Sequence, residues 1–241
     1  MEIRSRPSPS HGPRPAPGRI DLLVLHYTGM QTAAAALDRL CDPASEVSAH
    51  YLVEEDGAVW QLVDEARRAW HAGRGFWAGA TNINDRSVGI ELANPGHEHG
   101  YRAFPEAQLA SLEKLCRAIL ARHPISPGRV LGHSDVAPER KQDPGELFPW
   151  ARLAQAGIGL WPDFAAPLSV LPGTDAVLAA QRDLARIGYD TRPSGRLDTA
   201  TAAVIAAFQR HWRPANCDGE LDAETARRIA IRAKAAAAPS I

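Results

Sequence analysis

The change of character across residues 157–174 constrains this chain more than any other feature of its sequence. That stretch holds three prolines and three glycines, which no helix or strand would carry together. It also holds Ile158, Leu160, Trp161 and Phe164. A freely swinging tether would be more polar, so the stretch reads as a linker lying against a surface. Before it, apolar runs and helical periodicities alternate; after it, the chain is alanine-rich. At 241 residues, two unequal domains follow.

The first domain spans residues 19–156. IDLLVLHY at 20–27 is a short apolar run of the kind that forms a buried central strand. Residues 32–40 are alanine-rich and predict a helix. Residues 48–53 and 58–63, separated by Glu55-Asp56-Gly57, predict a hairpin. SVGIEL at 87–92 alternates, with Val88, Ile90 and Leu92 on one face and Gly89 and Glu91 on the other. Pro105 opens a helix to about residue 122, with Leu109, Leu112, Cys116, Ile119 and Leu120 on one side. A strand at 129–133 and a helix at 149–156 complete the region. The alternation predicts an α/β domain with a mixed central sheet flanked by helices.

Residues 175–235 predict a small all-α domain of three helices. Gly195 to Thr201 and Gly219 to Thr225 repeat as G-x-L-D-x-x-T. In each, the aspartate is placed to cap a helix start. Val204, Phe208 and Trp212 then fall four apart on one helix face. A bundle of this size is marginal alone and plausible beside a larger partner.

The first nineteen residues carry five prolines and four arginines and no apolar run. Residues 1–18 therefore read as a disordered leader, without the apolar core of a secretory signal. No stretch has the length of a membrane span. The expected compartment is the cytoplasm. Lys and Arg (27) nearly balance Asp and Glu (28), which excludes the basic footprint of a nucleic-acid binder. Cys41, Cys116 and Cys217 are few, odd in number and far apart, so a disulfide framework or cysteine metal site is not expected. A metal would need histidine and carboxylate.

Two of the nine histidines stand at strand ends: His26 closes the first strand, and His133 precedes the charged loop SDVAPERKQDPG. Strand ends that emerge into such loops are where α/β folds place chemistry. Two histidines and a carboxylate suit Zn²⁺ with an open position for water. Asp135, Glu139 and Asp143 all lie in that loop, and spacing does not choose among them. Glu91 is a lone carboxylate in an apolar strand, costly unless paired or set in a cleft. Trp70, His71, Phe76 and Trp77 cluster aromatics beside small residues, suiting either a groove for a sugar or peptide or ordinary packing. No G-x-S-x-G elbow, cysteine-nucleophile signature or glycine-rich phosphate loop occurs.

VLHYTGM at 24–30, SAHYLVEEDG at 48–57, AWHAG at 69–73, SVGIELANPG at 87–96 and LGHSDVAPERKQDPGELFPW at 131–150 occur in that order. Together they resemble the N-acetylmuramoyl-L-alanine amidases of the AmpD/AmiD type, nearer its AmiD-like members, which have the peptidoglycan recognition protein fold. AVIAAFQ at 203–209 and the repeated D-x-x-T resemble the peptidoglycan-binding domain that follows such amidases. The resemblance implies one Zn²⁺ per chain held by His26, His133 and Asp143, with Glu91 and Lys141 as the catalytic pair. It further implies His50, Tyr51, Trp70, His71 and Asn94 as substrate contacts. The expected partner is peptidoglycan or a muropeptide, cut between the muramic lactyl group and L-alanine, by a monomer. The resemblance also makes the periplasm or cell envelope the alternative compartment. Two rival readings remain: a peptidoglycan receptor without turnover, and a zinc peptidase cutting within the stem peptide.

Overall fold

In a computed structural model of the chain the elements run β1 (Arg4–Ser5), β2 (His11–Pro13), β3 (Leu22–Tyr27), α1 (Ala33–Cys41), β4 (Tyr51–Val53), β5 (Val59–Gln61), β6 (Arg67–Ala69), α2 (Ile83–Arg86), β7 (Ser87–Leu92), α3 (Glu106–Arg122), β8 (Val130–Gly132), α4 (His133–Val136) and α5 (Trp150–Gln155). After them come α6 (Ala176–Ile187), α7 (Thr199–Trp212) and α8 (Ala223–Ala237). The structure describes residues 2–15, 18–166 and 175–237, so the second half of the expected linker lies outside the described residues.

Six strands form one sheet in the order β1-β5-β4-β7-β3-β8. β4, β7, β3 and β8 are parallel, and the hairpin strand β5 runs antiparallel to β4. The sheet is therefore mixed, as the alternation predicted. Its two faces have different covers. Leu23, Leu25, Val88, Ile90 and Leu92 pack against Leu112, Leu115 and Ile119 of α3. Leu22, Val24 and Leu131 on the other face share a core with Leu184, Val204, Phe208 and Ile229 of the helical domain. The second domain thus has no wholly separate core.

Local chemistry explains the element ends. The Thr32 hydroxyl accepts the Ala35 amide at 3.1 Å and starts α1. Asp198 and Asp222 do the same for the amides of Thr201 and Thr225, each at 2.8 Å. Two buried glutamines account for the rest of the repeat. Gln181 accepts from the Gly195 amide and donates to the Arg196 carbonyl and the Thr201 hydroxyl. Gln209 accepts from the Gly219 amide and donates to the Glu220 carbonyl and the Thr225 hydroxyl. Each G-x-L-D-x-x-T loop is thus closed by one glutamine from the preceding helix.

The expected disordered leader is corrected by the structure. β1 pairs with β5 and β2 with β6, and Ser8 and Ser10 are buried. Arg14 then reaches inward and donates to the carbonyls of Glu65, Asn84, Asp85 and Ser87. Backbone pairing and one arginine do the work that apolar residues usually do, so the proline-rich composition misleads. In the linker, Trp161 and Phe164 lie 5.9 and 6.3 Å from the Trp212 ring.

Candidate metal centre and active site

The register of β3 on β7 sets His26 beside Glu91, both on the face opposite α3. β8 lies on the other side of β3 and ends one residue before His133. Three site residues therefore stand at the carboxyl ends of adjacent parallel strands. The Ser134 amide donates to the Asp143 carbonyl at 2.9 Å, which folds the charged loop back and returns Asp143 to His133.

His26 Nδ1, His133 Nδ1 and Asp143 Oδ2 lie 3.0 Å from one another, pair by pair. They are the trio among the described residues whose ligand atoms converge as a metal site requires. The far sides of both rings explain why they face inward as acceptors. His133 Nε2–H donates to the Ala72 carbonyl at 3.0 Å, which leaves Nδ1 as a lone pair. For His26 the assignment runs through a chain. The Ser87 hydroxyl donates to the Ile83 carbonyl, so it accepts from His71 Nε2–H at 2.9 Å. His71 Nδ1 then accepts from His26 Nε2–H at 3.0 Å, leaving His26 Nδ1 unprotonated. Two imidazole lone pairs and a carboxylate converging without a donor among them repel, unless a cation sits between them. The residues fit a divalent metal, and its usual ligand-supporting outer shell is present.

Electrostatics agree. Burial, then the neighbouring His133, lowers His26 to about 4, so its ring is neutral near pH 7. Glu91 is pushed well above its ordinary value by burial and by Asp143, against the opposing pull of Lys141. Its Oε2 is sealed and has no hydrogen-bond partner. Glu91, Lys141, His133 and Asp143 line one cavity of about 610 Å³ with Trp70, whose indole N–H is likewise unpartnered.

The expected substrate contacts divide. Trp70 lines the cavity. His71 borders it, but both its ring nitrogens are engaged in supporting His26. Gly89 makes room for that ring, since a Cβ there would sit 2.4 Å from His71 Cγ. The remaining three are corrected to structural roles. His50 is fully buried, accepts the Gly89 amide on Nδ1 and lies 3.1 Å from the Arg67 carbonyl through Nε2. Tyr51 points to the α3 side and donates to Glu65 at 2.7 Å. Asn94 binds the Arg102 carbonyl and the Gly96 amide, shaping its own loop. Missed from sequence was Ser87, as the end of the His71 chain; Asp135, one of the three carboxylates the loop offered, instead meets His211 at 2.7 Å. The alternation already put Ser87 on the Glu91 face. Nothing in the sequence pointed to the 76-residue jump between Asp135 and His211.

A cleft at parallel strand ends, with converging imidazoles and carboxylate and an acid and an amine beside them, is an arrangement suited to metal-assisted hydrolysis. The family model for N-acetylmuramoyl-L-alanine amidase matches residues 16–146, and that for a putative peptidoglycan binding domain matches residues 173–229. AmiD of Escherichia coli is 43% identical over 86% of this chain and 80% of its own. Its structure, in complex with anhydro-N-acetylmuramic acid-L-Ala-D-gamma-Glu-L-Lys, superposes with a TM-score of 0.78 at 40% identity over 95% of this chain and 93% of that one. AmpDh3 of Pseudomonas aeruginosa superposes with a TM-score of 0.79 at 33% identity, over 95% of each chain. AmpD of Haemophilus influenzae, a 1,6-anhydro-N-acetylmuramyl-L-alanine amidase, is 36% identical over 63% of this chain and 90% of its own. The chain belongs to the N-acetylmuramoyl-L-alanine amidase family. It is an enzyme of that activity, with a peptidoglycan-binding domain appended.

Proposed function

We propose that the chain binds one Zn²⁺ through His26, His133 and Asp143 and hydrolyses the amide between the muramic lactyl group and L-alanine of peptidoglycan or muropeptides. The observation that carries this is the three-way convergence of acceptor atoms at 3.0 Å with no donor among them. When bound, Zn²⁺ supplies a Lewis acid that polarises the lactyl carbonyl and acidifies a water toward a pKa of ~7.

Glu91 accepts the proton of the attacking water and hands it to the departing alanine nitrogen. Burial and the Asp143 charge favour its protonated form, and Lys141 opposes them. The Lys141 ammonium donates to the oxyanion that develops on the lactyl oxygen. Water oxygen bonds to the carbonyl carbon as the C–N bond breaks. The products are a lactyl carboxylate and a stem peptide with a free alanine amine. Trp70 forms part of the cavity wall beside Glu91 and Lys141. The helical domain holds the enzyme on polymeric wall by raising its local concentration there.

Metal analysis with mass spectrometry of products from sacculi and from anhydro-muropeptides tests the reading. One zinc per chain and peptides beginning with free L-alanine support it. Cleavage within the stem peptide points to the peptidase alternative, and zinc without turnover to the receptor. Sedimentation tests the proposed monomer. No helix among the described residues is long and apolar enough to cross a membrane. Fractionation then distinguishes recycling of muropeptides in the cytoplasm from wall turnover in the envelope.

A further inference from the structure

We propose that the helical domain is a positioning element of the active site, through hydrogen bonds from His211 and Tyr189 to Asp135. The proposal rests on the reading of His133 and Asp143 as metal ligands.

His133 opens α4, a helix of only four residues. A single helical turn does not hold itself together, so its shape must be imposed from outside. Asp135, two residues after His133, is where that happens. Its Oδ2 accepts the Gly132 amide at 2.8 Å, closing the turn on itself. The same oxygen accepts from His211 Nδ1 on α7 at 2.7 Å, and Oδ1 accepts from the Tyr189 hydroxyl, just after α6, at 2.5 Å. Two of three donors thus come from the helical domain. Asp135, Tyr189 and His211 are 1%, 2% and 3% exposed, so water does not replace a lost donor.

The donors are themselves held. The His211 ring is stacked between Trp150 of α5, at 3.8 Å, and Trp212, at 3.9 Å. The Tyr189 ring meets Trp77 edge-on at 4.9 Å. Gly188 lets Trp77 in: a Cβ there would lie 2.7 Å from that ring. The turn next passes its order to a second ligand, because the Ser134 amide, between His133 and Asp135, holds the Asp143 carbonyl. Both ligands on this loop therefore depend on one buried carboxylate with two donors from another domain. The dependence belongs to the way this chain has buried Asp135.

The test uses the full chain with four substitutions: His211→Ala, His211→Asn, Tyr189→Phe and Leu184→Ala. Leu184 is fully buried in the shared core and forms no hydrogen bond to Asp135, so its truncation lowers stability while leaving both donors to Asp135 in place. The measurements are zinc loss to a chelator, kcat and KM on a small soluble muropeptide, and the melting temperature. His211→Ala is expected to lose zinc at least ~10-fold faster and to lower kcat more than it raises KM. Tyr189→Phe shifts both in the same direction by less. His211→Asn, whose amide can donate in place of Nδ1, recovers most of the loss. Leu184→Ala lowers the melting temperature and leaves zinc retention unchanged. If His211→Ala and Tyr189→Phe retain zinc and turn over like Leu184→Ala, the proposal is overturned. If His211→Ala does not fold, Tyr189→Phe, which keeps the ring, decides by the same criterion. A parent protein that binds no zinc overturns the metal reading and this proposal with it, a failure recognisable because it precedes any substitution.

Discussion

The two faces of the central sheet are closed by different kinds of contact. On the α3 side the closure is mainly hydrocarbon against hydrocarbon, with Gln108 donating to the carbonyls of Val53 and Ala93 and Tyr51 and Arg122 donating to Glu65 at the rim. On the opposite side β3 begins apolar at Leu22 and Val24 and turns polar at His26, beside Glu91. That face is covered by directed hydrogen bonds from His71, by the backbone of Ala72 and, through Asp135, by a second domain. Apolar packing tolerates exchange of similar side chains, whereas a polar site loses function with each missing donor. Damage to the apolar packing of either face should therefore appear as lost stability, and damage to the polar site as lost metal or lost rate.

The largest effect is expected on the apolar face. Leu112→Ala removes a fully buried α3 side chain and should cost about 2–5 kcal/mol in denaturant unfolding. Zinc content and kcat of the folded enzyme should not change; a drop in either would erase the contrast between the faces. On the other face, Glu91→Ala and Lys141→Ala should each slow turnover by two or more orders of magnitude, about 2.7 kcal/mol, with zinc retained. Near-normal turnover in a zinc-loaded variant would remove that residue from the mechanism. Next in size, His71→Ala should weaken zinc binding by about 10–100-fold through the freed His26 tautomer, with little change in melting. Competition with a chromogenic chelator measures it, and parental affinity would sever the chain from Ser87 to the metal.

The smallest effect lies at the rim of the α3 face. Burial pushes the Glu65 carboxyl up, but bonds from Arg122, Tyr51 and His123 outweigh it and lower the group from 4.5 to about 2. A lowered carboxyl stabilises the fold above its unfolded value and loses that contribution as pH falls from 4.5 toward 2. The group is partly open to solvent, so the contribution is modest. Melting of Glu65→Gln should accordingly vary less across that pH window than melting of the parent. Parallel curves would mean that the cluster contributes nothing to acid stability.

Sequence periodicity conveyed one face of the sheet better than the other. SVGIEL forms a strand over its whole length, and the Asp56-Gly57 turn and the Pro105 helix start lie where their chemistry predicts. All of these signals are local. Family motifs carried the metal trio, since spacing alone left Asp135, Glu139 and Asp143 equivalent. They did not separate substrate contacts from support: His50, Tyr51 and Asn94 lie within matching blocks yet bind the protein's own backbone or Glu65. What escaped reading was non-local. β1 and β2 are too short to show a period, and Arg14 carries no pattern at all. His211 has no carboxylate near it in sequence before Asp218; the one it meets lies in the other domain. For the same reason, deleting residues 175–241 is a poor test of wall binding, since it also strips the donors from Asp135.

The paired glutamines of the helical domain have a use in protein engineering. Gln181 and Gln209 make the same contacts to their loops, although 14 residues separate Gln181 from Gly195 and 10 separate Gln209 from Gly219. The difference of four residues is absorbed before the glycine, around residues 190–194, where the chain is mostly exposed. The clamp recognises where the loop ends, not how long it is. Extra peptide spliced into that stretch, such as an epitope or a reporter's attachment sequence, should therefore leave the bundle's closure intact, provided it enters beyond Tyr189, which donates to Asp135, and before Ser194, whose amide Gln181 accepts.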